Sequence, residues 1–261
     1  MKKISSLQYV VLFFSSLLMF TSCITGEGGT KDSGPAFGVV GISDKTFENV
    51  LYVDEITAFY NIRFANKYPG DCFYVYFELD HDAPENSYEN LVTKGYYTIN
   101  VIDMDDISRW ELAYSLTDTS QVLPNEVPLL EGFLDGEIYN YVKGMVFFAS
   151  GIDMPSDQQM IWDLSYNSMD IVKEEGGQRY YDLFLRAMVR YPGSKSPEKR
   201  GVINAFNMKS YLEMVAQREK TLGSSTFKIR INYAAEIKDE TITWKQQASR
   251  GEIPVAWILN E

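Results

Sequence analysis

A short apolar run ending in Leu18-Met19-Phe20-Thr21-Ser22-Cys23, preceded by Lys2 and Lys3, constrains this chain more than any other feature. It has the layout of a bacterial lipoprotein signal: a basic start, an apolar core from about Tyr9 to Phe20, small residues at the cut, and a cysteine to take the lipid. Phe20 departs from the pattern, standing where an aliphatic residue is commoner. The alternative, an uncleaved transmembrane anchor, needs roughly 20 apolar residues. This run is shorter and is interrupted by Gln8, Ser15 and Ser16. Residues 1–22 are therefore expected to be removed as a signal peptide, and Cys23 to carry a thioether-linked diacylglycerol. Ile24 follows the cysteine, where an Asp would resemble an inner-membrane retention signal, so the expected location is the outer membrane. Whether the body faces the periplasm or the medium is left open.

From Cys23 onward, 239 of the 261 residues remain, enough for one large or two modest domains. Without Lys2 and Lys3 the chain keeps 22 of its 24 Lys and Arg against all 36 Asp and Glu, a net charge of −14. That acidity, with no basic stripe to interrupt it, repels phosphate backbones and argues against nucleic acid as a partner. Only two cysteines occur. With Cys23 lipidated, Cys72 has no partner for an intramolecular disulfide. A reactive thiol needs a cationic or histidine neighbour, which Cys72 lacks in sequence, so it reads as a small hydrophobe on a strand.

Residues 23–36 are Gly-rich and polar and read as a flexible tether; the thirteen residues after Cys23 would reach roughly 20 Å on average. Strands are expected next. Ile56, Ala58, Tyr60, Ile62 and Phe64 share one face of a period-2 segment, and Phe73, Val75, Phe77 and Leu79 repeat the pattern. Asp80 to Asn86 has turn chemistry. Tyr97, Ile99 and Val101 form a third inward row that Asp103-Met104-Asp105-Asp106 should end, with a fourth short strand from Trp110 to Leu116. Brief strands separated by polar turns suggest a small barrel over 37–117. Thr117 to Pro128 collects Asp, Ser, Asn and Pro and marks a domain boundary, with a second domain over 118–261.

In that second domain, strands are expected at Lys143–Ile152 and Met160–Tyr166. A hairpin follows, Met169–Lys173 against Arg179–Tyr191, turning at Glu174-Glu175-Gly176-Gly177, where the glycines supply positive φ. Pro192 to Pro197 is a loop. Met208, Tyr211, Leu212 and Val215 then fall at i, i+3, i+4 and i+7, with Asn207 as N-cap and Leu222-Gly223 as the stop, predicting one amphipathic helix. Phe227 to Glu236 alternates as a half-buried strand. Thr241–Lys245 and Pro254–Leu259 would complete the sheet.

Two groups of segments resemble the NigD-like envelope lipoproteins. One is Phe73-Tyr74-Val75-Tyr76-Phe77-Glu78-Leu79-Asp80 followed by Lys94-Gly95-Tyr96-Tyr97-Thr98-Ile99-Asn100-Val101. The other is Tyr181-Leu183-Leu185-Arg186, then Ala205-Phe206-Asn207-Met208, then Phe227-Lys228-Ile229-Arg230-Ile231-Asn232-Tyr233. The resemblance implies a mainly β protein: an OB-like barrel followed by an immunoglobulin-like β-sandwich carrying one amphipathic helix. It implies no catalytic activity.

The residues point the same way. The single histidine, His81, lies in an Asp-rich turn without the partners a Ser–His–Asp triad requires, and one His with Cys72 is too few ligands for zinc. No nucleophile elbow, P-loop or dinucleotide fingerprint occurs. The clusters Asp80/Asp82/Glu85 and Asp103/Asp105/Asp106 lack EF-hand spacing and read as solvated turns. No enzyme activity, metal or cofactor is expected. Tyr74 and Tyr76, on the face opposite Phe73 and Val75, and Tyr139 and Tyr141 are the candidate binding surface, stacking on sugar rings or burying against a protein. Burial within the fold is the competing expectation for both pairs. The resulting reading is a lipid-anchored, non-enzymatic binding or assembly module of the cell envelope with a protein or carbohydrate ligand. A carbohydrate-active enzyme or polysaccharide-binding accessory protein and a pilus-like subunit are the alternatives.

Overall fold

The computed structural model describes residues 30–116 and 118–259. The signal segment and Cys23 lie outside them. No helix among the described residues is long and apolar enough to cross a membrane. The fold is mainly β and divides into two compact units. The first comprises the described residues through Arg109 together with Asn140–Lys143; the second comprises Trp110–Tyr139 and the chain from Gly144 on.

The first unit is a small OB-like barrel. Its strands are β1 (Lys31–Ile42), β2 (Asn49–Tyr52), β3 (Ala58–Tyr60), β4 (Cys72–Asp80), β5 (Tyr97–Thr98) and β6 (Asn100–Ala113), with helix α1 (Tyr88–Lys94) before β5. Pairing runs β6–β4–β1–β2–β3–β5. Because β5 passes into β6 after Ile99, the ring closes and leaves few free strand edges. The alternation in β4 puts Phe73, Val75 and Leu79 into a core with Val40, Leu51, Phe59, Phe64 and Ile99.

Three expectations fail here for local reasons. The tether does not extend to residue 36: Lys31 to Val39 pair in continuous register with Asp80 to Cys72, because a Gly- and Ser-containing segment still offers its backbone to an open edge. The row Ile56–Phe64 is not one strand. Asp54 accepts hydrogen bonds from the Ile56 and Thr57 amides and makes a turn, while Asn61 caps a short 3-10 turn over Ile62–Phe64. Ile56 and Ile62 end up exposed, and Phe64 fully buried. Asp103 to Asp106 does not end a strand either, since each pairs with a β4 residue, from Tyr76↔Asp103 to Phe73↔Asp106. A bulge between Tyr76 and Phe77 shifts the register and leaves Ile102 half exposed.

After β7 (Glu126–Val127) and β8 (Leu129–Glu131), β9 (Asn140–Val142) belongs to the first unit. The second unit continues through β10 (Met145–Met154), β11 (Gln159–Ser165), β12 (Val172–Glu175), β13 (Gln178–Tyr191), β14 (Glu198–Asn207), β15 (Thr226–Lys238), β16 (Thr241–Ala248) and β17 (Ile253–Pro254), with helices α2 (Lys209–Thr221) and α3 (Val255–Leu259). β10 pairs with β8 and, over ten residues, with β14. A second sheet centres on β13, which takes β11 and β12 antiparallel on one edge and β7 antiparallel with β15 parallel on the other; β16 follows β15. Phe148 stacks on Phe206 at 5.0 Å within the core. The hairpin β12–β13 turns at Gly176 and Gly177 with φ of 59° and 80°, as its two-residue loop requires. Helix α2 buries Tyr211, Leu212, Val215 and Ala216 and stops at Gly223, φ 77°, with the Ser224 amide donating to Glu219 O.

Other boundaries move. The division between units falls between Arg109 and Trp110, not after residue 117. Segment 118–127 is fastened to the second unit by Arg186, whose Nε and Nη2 reach Glu126 at 2.7 and 3.0 Å and whose Nη1 and Nη2 donate to the carbonyls of Asp118 and Gln121. Glu198–Asn207, unassigned by periodicity, is strand β14. Asn207 therefore ends a strand and does not cap α2; its side chain donates to Glu111. Residues 255–259 form helix α3 in place of a strand.

Arg186→Met should cost about 3–5 kcal/mol in urea unfolding, because Glu126 is left charged and buried; adding Glu126→Leu should recover part of that loss. A second expectation concerns Asp157, which accepts from the amide and hydroxyl of Ser194 and from the Lys195 amide. These bonds, the Ser194 amide foremost, hold its carboxyl down at about 2. A lowered folded-state value stabilises above the ordinary carboxylate range and is lost as pH falls through the folded value. Protection of the Ser194 and Lys195 amides from hydrogen exchange should therefore drop between about pH 4 and pH 2.

Candidate functional site

The outward face of the β1–β4–β6 ladder sets Pro35 and Phe37 beside Tyr76 and Tyr74, and these beside Asp103 and Asp105. The two tyrosines differ. Tyr74 packs its ring against the buried Phe37 at 5.3 Å, and its hydroxyl is buried without a hydrogen-bond partner. Burial, then Tyr76 and the carboxylates of Asp105 and Asp103, push its phenol up to about 12. Tyr76 is only half buried, and both carboxylates across from it are exposed. A ring flanked by exposed acceptors can stack on a sugar face while the acids take hydroxyls, or receive a cation over the ring.

The second pair of tyrosines is not brought together as a surface. Tyr141 is buried at 6% exposure, and Tyr139 is half buried; the first belongs to the barrel and the second to the sandwich. The barrel exposes other apolar groups instead. Phe47 is 81% exposed with φ of 60° in the turn between β1 and β2. A bulky residue in the left-handed region is an outlier, held there by Phe47 N–H donating to Ser43 O. Lys45 Nζ donates to Val92 O at 2.5 Å, bringing that turn to α1. On α1, Tyr88 and Val92 lie at i and i+4 and are both exposed. Periodicity could not have found this patch, because it joins a turn to a helix of only seven residues.

Cys72 is buried, and burial pushes its thiol up to about 12, which leaves it inert as a nucleophile. His81 Nε2 lies 2.8 Å from Asp32 on the surface. Asp80, of the first acidic cluster, is paired with Lys31 at 3.0 Å beside a cavity of about 290 Å³ that Glu78, Glu85 and Asn86 also line. The Lys31 bond, ahead of the counteracting desolvation, lowers the Asp80 carboxyl. Among the described residues no group of three or more His, Cys, Asp or Glu is placed to hold a metal ion.

The sandwich holds a second cavity of about 240 Å³, at the Gly176-Gly177 hairpin and the C-terminal end of α2, lined by Gln178, Arg179, Glu219, Thr226, Lys228 and Glu252 among others. Glu219, 1% exposed, accepts Arg179 Nε and Nη2 at 2.8 and 2.5 Å and the Tyr181 hydroxyl at 2.5 Å. Burial raises the Glu219 carboxyl, but the Arg179 and Tyr181 bonds outweigh it, and the net shift is downward.

Residues 28–105 match the family model of the lipoprotein OB domain. This segment is similar to that lipoprotein OB domain. A match to a lipoprotein domain is in keeping with the resemblance to NigD-like envelope lipoproteins, and a lipoprotein family implies a membrane-associated place in the cell envelope. Beyond the OB domain, the fold is shared with an uncharacterized protein from Parabacteroides merdae: 21% identity, 85% of this chain and 99% of that one, TM-score 0.69. A candidate lipoprotein from Bacteroides fragilis is similar over 83% of this chain and 97% of that one, at 13% identity and TM-score 0.52. A NigD-like immunity protein from Bacteroides caccae aligns over 81% and 91% at 11% identity. The TM-score of that pair is 0.45. None of the curated proteins matches.

The two tyrosine environments make opposite predictions. Tyr141→Ala should destabilise by about 3–5 kcal/mol, as truncation of a buried aromatic does. Tyr76→Ala should cost no more than about 1 kcal/mol. Thermal or urea unfolding of the two variants checks both.

Proposed function

We propose that this chain is a non-enzymatic binding module of the outer membrane, held there by a lipid on Cys23 with residues 1–22 removed. The observation that carries the reading is the position of the OB domain. Its family match starts at residue 28 and its first strand at Lys31, leaving only a short leash after the cysteine. Eight residue steps from Cys23 to Lys31 span at most roughly 28 Å. The start of β1 is itself tied down, by Lys31–Asp80 and by the His81 amide donating to Thr30 O. A lipid on Cys23 would therefore keep that end of the barrel close to the leaflet. Asp32, Asp80, Asp82 and Glu85 at that end would be repelled by anionic headgroups.

Two features of the OB domain suit contact with a ligand. Phe47, Tyr88 and Val92 suit burial against a protein, the use to which exposed aromatic groups are commonly put. Tyr76 with Asp103 and Asp105 supports a second reading, a polysaccharide-binding accessory protein.

Fractionation tests the anchor. Wild-type protein should pellet with outer membranes and release glycerol-linked fatty acid on hydrolysis, while Cys23→Ala should appear in the soluble fraction. Membrane retention of that variant overturns the anchor. Loss of polysaccharide retardation in Tyr76→Ala, with Phe47→Ser unaffected, would select the second reading over the first.

A further inference from the structure

We propose that β16 is an assembly edge along which two copies of this chain pair, β16 antiparallel to β16, about a two-fold axis normal to the sheet. The observation behind it is a row of backbone groups without partners. β16 is eight residues long and pairs along its length with β15. Among the described residues, no hydrogen bond reaches its backbone from the other side. Other described strands of comparable length have strands on both sides, as β1 does between β2 and β4, and β13 between β11 and β15. Folds usually blunt an open edge with charges, proline, a bulge or a covering segment. Thr241-Ile242-Thr243-Trp244 instead favour a strand, Lys245 is the one charge in β16, and there is no proline. The bulge of this hairpin falls on β15, between Ala234 and Glu236, and leaves β16 regular. The short strand β12 shows the contrast, with Lys173, Glu174 and Glu175 among its four residues.

What fits a row of alternating N–H and C=O groups is another strand. An antiparallel edge is complementary to itself, so one strand supplies both halves of a closed contact. Charge points to the same place. With 36 Asp and Glu against 24 Lys and Arg, most of the surface repels a second copy, whereas β16 carries no acid. Symmetry then fixes the register. An axis normal to the sheet keeps each face with its like, so one residue must stand opposite its own counterpart. Near the middle of β16 that residue is Trp244 or Lys245. Two lysines face to face would repel, so Trp244 lies on the axis. Thr243 then stands opposite the second copy's Lys245, and Ile242 opposite its Gln246. The indole leaves the edge clear. It packs edge-on to Phe184 on β13 at 5.7 Å and its N–H donates to Thr119 O, leaning over the small Ala234 that pairs with Trp244 on β15. The inference does not rest on the lipid anchor, and either can fail without the other.

Sedimentation of the purified full chain in detergent, over a concentration series, tests it. A reversible dimer is expected. Thr243→Lys sets lysine opposite lysine twice across the axis and should raise the dissociation constant roughly tenfold. The unfolding midpoint of the monomer should not change, because Thr243 is exposed. Thr243→Glu should tighten the dimer. Adding Lys245→Thr to Thr243→Lys exchanges the two residues and should restore the original affinity. A monomer at every concentration overturns the proposal and leaves the edge to a strand of a different protein. A dimer whose affinity is the same in Thr243→Lys and Thr243→Glu as in the original chain also overturns it, because its contact then lies elsewhere.

Discussion

The sandwich is organised around one guanidinium. Arg186 is the largest fully buried side chain among the described residues, and a buried cation without partners would be strongly unfavourable. Here Glu126 takes two of its N–H groups and the carbonyls of Asp118 and Gln121 take two more. The same contacts solve a second problem. Residues 118–125 make few ladder bonds of their own, yet their carbonyls lie over a sheet. Arg186 satisfies two of them, and the indole N–H of Trp244 satisfies Thr119 O at 3.0 Å. With the Arg186 guanidinium 5.5 Å from the Trp244 ring, one arginine on β13 and one tryptophan on β16 bind this irregular stretch into the domain.

That arrangement explains why the alternating strands of this region misled in one respect only. Tyr181, Leu183 and Leu185 face the core as their spacing implies. Asp182 and Arg186, which alternate with them on the other face, are buried too. Arg230 on β15 meets Asp182 across the parallel pair at 2.5 and 2.8 Å, and Glu175 at 2.8 Å. Alternation reports which residues share a face, not whether the polar face is covered. Coverage depends on partners 48 to 60 positions away in sequence, and no local pattern encodes them.

The same limit accounts for what was and was not legible elsewhere. β4, the β12–β13 hairpin and α2 carry their signals within a dozen residues: a period of two, a Gly-Gly turn, an i/i+4 stripe ended by glycine. β14 begins Glu198-Lys199-Arg200-Gly201, which has no apolar alternation, and is a strand because β10 lies alongside it over ten residues. β6 runs through three aspartates because β4 accepts their backbone while their side chains reach water. Of the four tyrosines singled out, Tyr74 and Tyr76 share the face opposite Phe73 and Val75, but the Tyr74 hydroxyl is buried and Tyr141 is a core residue. The cavity at Arg179 was invisible, since it joins a hairpin, a helix end and Glu252 across more than seventy positions.

The buried carboxylates of the sandwich follow one rule. Glu126, Asp182 and Glu219 are each matched by an arginine in bidentate or forked geometry, which makes breaking any pair costly while giving the intact pair little net advantage over an apolar replacement. Their use lies in fixing geometry: the segment at Asp118, the register of β13 against β15, and the C-terminal end of α2 against β13.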